Sequence, residues 1–283
     1  MSTTGLGVPK ARRNVRIKSA AWRVTRAHWH HLVGAAAVIA VLAAWQASGA
    51  FLQPIFISTP SAAITSFGHL IANGKLPVAF ATSLWEMVLA LLAAFLVGVS
   101  VGLLMGKSRW VERTLNPLVA FGNSSPLIAI LPILVVWFGV GWLPQVFFIF
   151  FIGVWTFIIN TVTGVRAVRG GMSDVGTVVG LSGWQQVWKI DLPATVPYLL
   201  VGARFAMAMG AIGMIIAGTE IGESGLGGLA LVYGSYTETS DLLAVIITTV
   251  VLLMLMFLGL RQLKARVFPW IAETSGDDRS VES

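Results

Sequence analysis

Side chains able to do chemistry are few in this sequence, and they are scattered. Its imidazoles are His28, His30, His31 and His69. The first three crowd beside Trp29 ahead of the first long apolar run, where they read as a solvated interfacial cluster rather than a metal site. There is no cysteine, which excludes disulfides, thiolate metal sites and cysteine nucleophiles. Gly106-Lys107-Ser108 ends like a phosphate-binding loop, but Val101 stands where the leading glycine belongs, and a strand should precede it. It reads instead as the end of a membrane helix. No acid, base, nucleophile or metal set converges in the apolar segments, so no catalytic residue and no metal ligand is assigned.

What remains is polar chemistry set in apolar surroundings. Glu86 and Arg204 lie within or at the edge of apolar runs, where an ionisable group is expensive unless it meets water or a partner. They are not expected to pair, because helix directions put Glu86 at the outer end of its span and Arg204 about 12 Å in from the opposite end. Arg204 either snorkels to the headgroups or lines an inner vestibule. Asn123, Ser124, Ser125 and Asn160 are candidates to line a solute path, against the commoner use of such groups in interhelical hydrogen bonds. Glu220 joins these candidates, in a glycine-rich stretch from Gly218 to Gly228 that reads as a hinge, an outward docking surface or a flexible external loop.

Groups dispersed in this way need a scaffold, and composition identifies its solvent. Hydrophobic residues make up 56% of the 283 and charged residues 11%, against roughly 25% charged in a soluble domain. No polar stretch is long enough for a soluble catalytic domain. The formal charge of +7 suits a topological role, because Lys and Arg are retained in cytoplasmic loops, and nucleic-acid binding is set aside.

A helix needs about 20 apolar residues to cross the bilayer core, and six runs qualify, near 32–52, 84–106, 118–138, 143–165, 196–219 and 242–263. The fold class is therefore all-α, a polytopic membrane protein of about six transmembrane helices. Asn123 to Pro126 and Pro132 interrupt the third run. Gly98, Gly102 and Gly106 share one helix face, which suits close helix packing, with a role in gating as the alternative.

Residues 1–31 hold seven Lys or Arg and no acidic residue, which reads as a basic cytoplasmic tail. The apolar stretch from Leu32 is too long for a usual signal core, so 32–52 is taken as a retained first transmembrane helix. With that tail inside, Lys107, Arg109 and Arg113, then Arg166 and Arg169, and finally Arg261, Lys264 and Arg266 all fall inside. Lys75 is then the only basic residue outside, where Glu220, Glu223, Glu238 and Asp241 collect. Both termini are expected in the cytoplasm. Residues 53–77 form an external segment whose short surface helix runs from Pro60-Ser61 to the Asn73-Gly74 turn. Residues 78–264 form the core, and 265–283 a cytoplasmic tail, disordered from Thr274.

The loop 166–193 is long for a bundle connection and carries structure of its own. Ser173 can cap a short helix through Val179, and Gly180 supplies a left-handed C-terminal position. Ser182 can cap a second helix towards Ile190, which Leu192-Pro193 is expected to stop. Val175, Val178, Val179, Leu181, Val187, Trp188 and Ile190 give this loop more apolar surface than a free loop should expose. Either the protein's own bundle or the membrane covers that surface, or a partner protein does.

Asp174-Val175-Gly176, Gly180 and Ile190-Asp191-Leu192-Pro193, at this spacing, resemble the cytoplasmic-loop signature of binding-protein-dependent ABC importer permeases. That signature is an acidic-small-small triplet, then Gly, then I-x-L-P; Val175 and Gly176 replace the usual alanines. From about Ile57 onward the chain is similar to the nitrate, sulfonate and taurine branch, through Ser58-Thr59-Pro60-Ser61, Ser83-Leu84, Gly102 to Gly106, Pro126 to Pro132, Trp137-Phe138-Gly139, Asn160-Thr161, Gly164-Val165-Arg166, Gly202-Ala203-Arg204, and Glu220 with Gly225-Leu226-Gly227. Glu86 stands where that branch commonly has an arginine.

The resemblance implies a type I ABC importer permease in a bacterial cytoplasmic (inner) membrane, whose two short loop helices dock into a groove on a cytosolic ATPase subunit. It implies a small solute, an anion such as a sulfonate, taurine or nitrate, delivered by an external solute-binding protein. This chain is then no enzyme and binds no cofactor, with ATP and Mg held on the ATPase. One docking loop per chain and two ATPase subunits imply a second permease chain, most simply in a C2 homodimer. Two rival classes are an ion-coupled secondary transporter, which calls for internal repeats and midplane ionisable residues, and a membrane-embedded enzyme, which calls for a converging catalytic set.

Overall fold

The computed structural model describes residues 33–34, 36–49, 58–168, 180–221 and 225–267. The basic tail with its three histidines, Arg169, the Ser173 helix with Asp174, Val175 and Gly176, Glu223 and the tail from residue 268 lie outside the described residues.

The described elements are helical. In chain order they are α1 (Ala36–Ser48), α2 (Pro60–Ala72), α3 (Lys75–Lys107), α4 (Arg109–Ser124), a 3-10 turn (Leu127–Ile130), α5 (Leu131–Phe138), α6 (Trp142–Val168), α7 (Gly183–Gln186), a π turn (Val187–Asp191), α8 (Leu192–Ile221), α9 (Gly225–Ser235) and α10 (Thr239–Val267). Helices α3, α6, α8 and α10 are long and apolar enough to cross a membrane. A fifth span results if α4 and the Leu127–Phe138 segment count as one, although they are bent by 92°. The expected first span is described only in part, as α1.

Residues 1–62 and 63–283 are separate compact units. In the first, Trp45 Nε1 donates to the Ser58 carbonyl at 2.9 Å, and Gln46 Nε2 donates to Ser61 Oγ at 2.9 Å. The second unit holds the long helices.

The 33-residue helix α3 begins nine residues before the expected run. Gly74 takes a left-handed φ of 79°, and Asn73 Oδ1 accepts from the Lys75 amide at 3.1 Å, so the Asn73-Gly74 turn itself starts the helix. Pro77 sits in the first turn, where no intrahelical N–H is missed. At the other end Ser108 Oγ accepts from the Val111 amide and caps α4. The interrupted third run ends its first half at Ser125, held extended (φ −69°, ψ 141°) by the following Pro126.

Helices α3 and α6 run parallel in backbone-level contact. A Cβ on Gly98, Gly102 or Gly106 of α3 would lie 2.6, 2.5 and 2.7 Å from the Cβ atoms of Phe157, Thr161 and Val165 of α6. The glycine face is therefore a packing seam, and Met87, Ala90, Ala94 and Ile149 continue the buried core along it. The two ends of the unit are named below by Lys75 and Lys107, the first and last residues of α3.

Two expectations need correction. Pro193 does not stop the loop helix. It is the second residue of α8, and the preceding π turn, in which the Leu192 amide reaches the Val187 carbonyl, absorbs the missing proline N–H. The loop helix therefore runs on into the membrane helix. The glycine-rich stretch is not wholly a flexible loop either, because residues 225–235 form α9, with Gly225, Leu226, Gly227, Gly228, Ala230 and Tyr233 buried. Helix α9 packs on α8, where a Cβ on Gly218 would fall 2.5 Å from the Gly227 Cα.

Candidate functional site

At the Lys107 end, one side chain fastens the loop to the bundle. Gly180 adopts a left-handed φ of 75°, the conformation expected of it. Ser182 and Gln185 then cap α7 reciprocally: the Ser182 amide donates to Gln185 Oε1 at 3.0 Å, and the Gln185 amide donates to Ser182 Oγ at 3.4 Å. Lys107 Nζ, at the last residue of α3, donates to the Gly183 carbonyl at 3.1 Å and pairs with Asp191 Oδ2 at 3.0 Å. The Asp191 side chain is only 4% exposed, whereas Lys107 is 30% exposed. The ammonium thus clasps both ends of the α7 and π-turn segment, while Thr195 Oγ1 donates to the Asp191 carbonyl at 2.6 Å. Beside it Arg166, near the end of α6, pairs with Glu112 in the first turn of α4.

The apolar surface expected on this segment divides in two. Leu181, Val187, Ile190, Leu192 and Pro193 are half-buried, whereas Trp188 is 56% exposed. The bundle covers one flank of the segment, and an aromatic side chain is presented on the other.

The six path candidates do not gather in one place. Asn123 and Ser124 are exposed at the end of α4, and half-buried Ser125 donates to the Phe121 carbonyl at 2.7 Å. Asn160 Nδ2 donates to the Thr156 carbonyl at 2.8 Å, and its side chain meets Gly202, where a Cβ would sit 3.0 Å from the Asn160 Cβ. Asn160 is thereby used in α6–α8 packing. Arg204 is exposed in a cavity with Arg261 and Lys264, and Glu220 is exposed near the end of α8. Among the described residues no three His, Asp or Glu side chains lie close enough to hold a metal ion.

Glu86 is placed differently from expectation. Because α3 starts at Lys75, Glu86 lies about 16 Å into the helix and is fully buried. Two further buried polar groups, to which the sequence analysis gave no role in the site, lie on α6 and α3. Gln145 is 1% exposed on α6, and Ser83 Oγ accepts from the Leu226 amide at 2.8 Å, fixing α9 to α3. Gly225, with φ 68°, allows that approach, since a Cβ there would stand 2.5 Å from Ser83 Oγ. Gln145 gave no signal beyond a polar residue inside an apolar run, whereas Ser83 stood in the Ser83-Leu84 pair without its partner being legible.

Residues 95–271 match the pattern of the family described as binding-protein-dependent transport system inner membrane component. This chain belongs to that family. The permease is 32% identical over 193 residues to the taurine transport system permease protein TauC of Escherichia coli, covering 68% of this chain and 70% of that one. It is 26% identical to a putative aliphatic sulfonates transport permease protein, SsuC of Bacillus subtilis, over 81% of this chain and 84% of that one. It is 31% identical to the nitrate import permease protein NrtB of Leptolyngbya laminosa, over 62% and 63%. Among solved structures it superposes on a chain of the inward-facing MetNI methionine ABC transporter with TM-score 0.56 and 19% identity, covering 67% of this chain and 92% of that one. The expected all-helical permease fold is therefore the fold found. Subunits of this family are inner-membrane permeases and not themselves enzymes, and the ATPase is a separate subunit.

Proposed function

We propose that this permease pairs with a second copy of itself and passes a small anion, of the sulfonate, taurine or nitrate class, from an external binding protein into the cytoplasm. The ATPase docks on the cytoplasmic segment 166–193, through Asp174, Val175, Gly176, Gly180, Ile190, Leu192 and Pro193, and holds the ATP and Mg. The Lys107 end faces the cytoplasm and both termini lie there. The solute class is supported by the taurine, sulfonate and nitrate permeases among the relatives.

The observation that carries the reading is the Lys107 clasp. A docking segment can drive transport only if it is mechanically continuous with the spans. Here it is fastened to α3 by Lys107 and runs without a break into α8. Trp188 offers the exposed aromatic anchor that a protein interface uses. Asn123, Ser124, Ser125 and Glu220, exposed or half-exposed on the single chain, are assigned to the path. Asn160 is left to helix packing.

The test uses Gly180→Arg. Among the described residues no heavy atom lies within 4 Å of a Cβ at Gly180, so the described bundle tolerates it, but the left-handed φ costs a non-glycine residue about 1–2 kcal/mol. In proteoliposomes with the ATPase and binding protein, the variant is expected to insert normally but to lose ATPase co-purification or taurine- and nitrate-stimulated uptake. Wild-type association together with wild-type uptake overturns the docking assignment.

A further inference from the structure

Helices α8 and α10 leave a cavity of about 200 Å³ near the Lys107 end, where Arg204, Arg261 and Lys264 converge with Leu200 and Leu260. Among the described residues no carboxylate lines it. Three cations in one small cavity repel one another unless an anion joins them. Among the described residues the carboxylates of this end, Glu112 and Asp191, are engaged by Arg166 and Lys107. The others at the surface, Glu220, Glu238 and Asp241, belong to the Lys75 end. The described part of a second copy therefore offers no free acidic group to this cluster.

Leu200 and Leu260 also line a second cavity, of about 260 Å³, formed between α3, α6, α8 and α10. Its walls, among the described residues, are hydrophobic and reach one turn deeper, past Phe95, Phe157, Met207 and Met256. The helix faces flanking the pair carry exposed Val201, Phe205, Leu255 and Leu258, as lipid contact requires. A small hydrophilic anion has use for the cations but none for the groove beside them. A molecule with an anionic head and a hydrocarbon tail uses both.

We propose that Arg204, Arg261 and Lys264 form the headgroup site of an anionic glycerophospholipid, with one acyl chain in the apolar groove and the phosphate bridging α8 to α10. Basic pockets between membrane helices on the cytoplasmic side bind such headgroups. Arg204 is then neither a solute ligand nor a solitary snorkelling side chain.

The experiment is native mass spectrometry of the purified permease–ATPase complex titrated with phosphatidylglycerol, phosphatidylcholine or inorganic phosphate. Phosphatidylglycerol is expected to bind at one copy per permease chain, at least tenfold more tightly than phosphatidylcholine. Each of Arg261→Gln and Lys264→Gln should weaken it about fivefold, the contribution of one basic residue near an anionic surface. The triple variant with Arg204→Gln should bind both lipids equally, and Lys264→Arg should retain the preference. Leu92→Trp, at a position that lines the groove and not the cation cavity, should weaken phosphatidylglycerol without changing phosphate binding. Co-elution with the ATPase checks that each variant is folded. Equal affinity for the two lipids in the unaltered protein overturns the proposal. So does full competition by inorganic phosphate with no effect of Leu92→Trp, which marks an anion site alone. Oxidative crosslinking of a Val201→Cys protein to its own copy also overturns it, because the second chain then covers this face.

Discussion

Replacing Lys107 with alanine should release the docking segment from α3. The ammonium makes a charge-assisted hydrogen bond to the Gly183 carbonyl and an ion pair with Asp191, whose carboxylate is 4% exposed. Removing one member of a buried pair leaves the other charged and desolvated, at about 3–5 kcal/mol when both are fully buried. Lys107 is 30% exposed, so water partly replaces it, and about 2–3 kcal/mol is the magnitude expected here. At about 1.4 kcal/mol per factor of ten, that moves the balance towards a detached segment by roughly 30- to 150-fold. The assay is uptake per ATP hydrolysed in proteoliposomes. Lys107→Ala should keep ATPase binding and hydrolysis while uptake per ATP falls at least tenfold. Lys107→Arg should recover most of the coupling, because a guanidinium can pair with the same carboxylate. The double variant K107A/D191N should regain thermal stability, having lost the stranded charge, yet stay uncoupled. A Lys107→Ala protein with normal uptake per ATP refutes the reasoning.

Topology is checked by placing single cysteines in this cysteine-free chain: an impermeant thiol reagent added to sealed cells should label Lys75→Cys and Glu238→Cys and spare Arg109→Cys, and the reverse pattern inverts the assignment. Gly102→Leu should lower the thermal midpoint in detergent, since its Cβ alone would fall 2.5 Å from Thr161 and overpacking costs about 1–3 kcal/mol; an unchanged midpoint means that the α3–α6 seam can open freely. Ser125→Trp should block uptake with assembly intact, as bulk at the bend between α4 and α5 narrows the path, and normal uptake would place that bend at the periphery.

The four long spans were legible because apolar length is a strong signal, and Gly180 and Ser182 were legible because turn and cap chemistry is local. What escaped depends on distant neighbours. Pro193 stops a helix by the local rule, but a π turn before it accommodates the missing N–H. Helix α9 was hidden because glycine is a poor helix former, and close approach to Gly218 together with the Ser83 hydrogen bond decides its structure. Glu86 moved from the end of a span to its buried interior because the Asn73-Gly74 turn, not the onset of hydrophobicity, starts α3. Lys107 was visible as part of a failed phosphate-loop match and as one inside-facing cation, but not as a clasp, because its partners lie 76 and 84 residues further along the chain.

The glycine seam between α3 and α6 has a mechanical consequence. Two parallel helices that meet closely at Gly98, Gly102 and Gly106 cannot splay without opening voids, so they tilt together as one stiff plank. At 33 residues, α3 is about 50 Å long. A tilt of about 5° around its midpoint carries each end through roughly 2 Å in opposite directions. A pull at Lys107 therefore arrives at Ser83 reversed in sign, and the Ser83–Leu226 hydrogen bond passes it to α9, which also packs on α8. The chain joining the two helices must take up the difference, and its 92° bend gives it an elbow at which to do so.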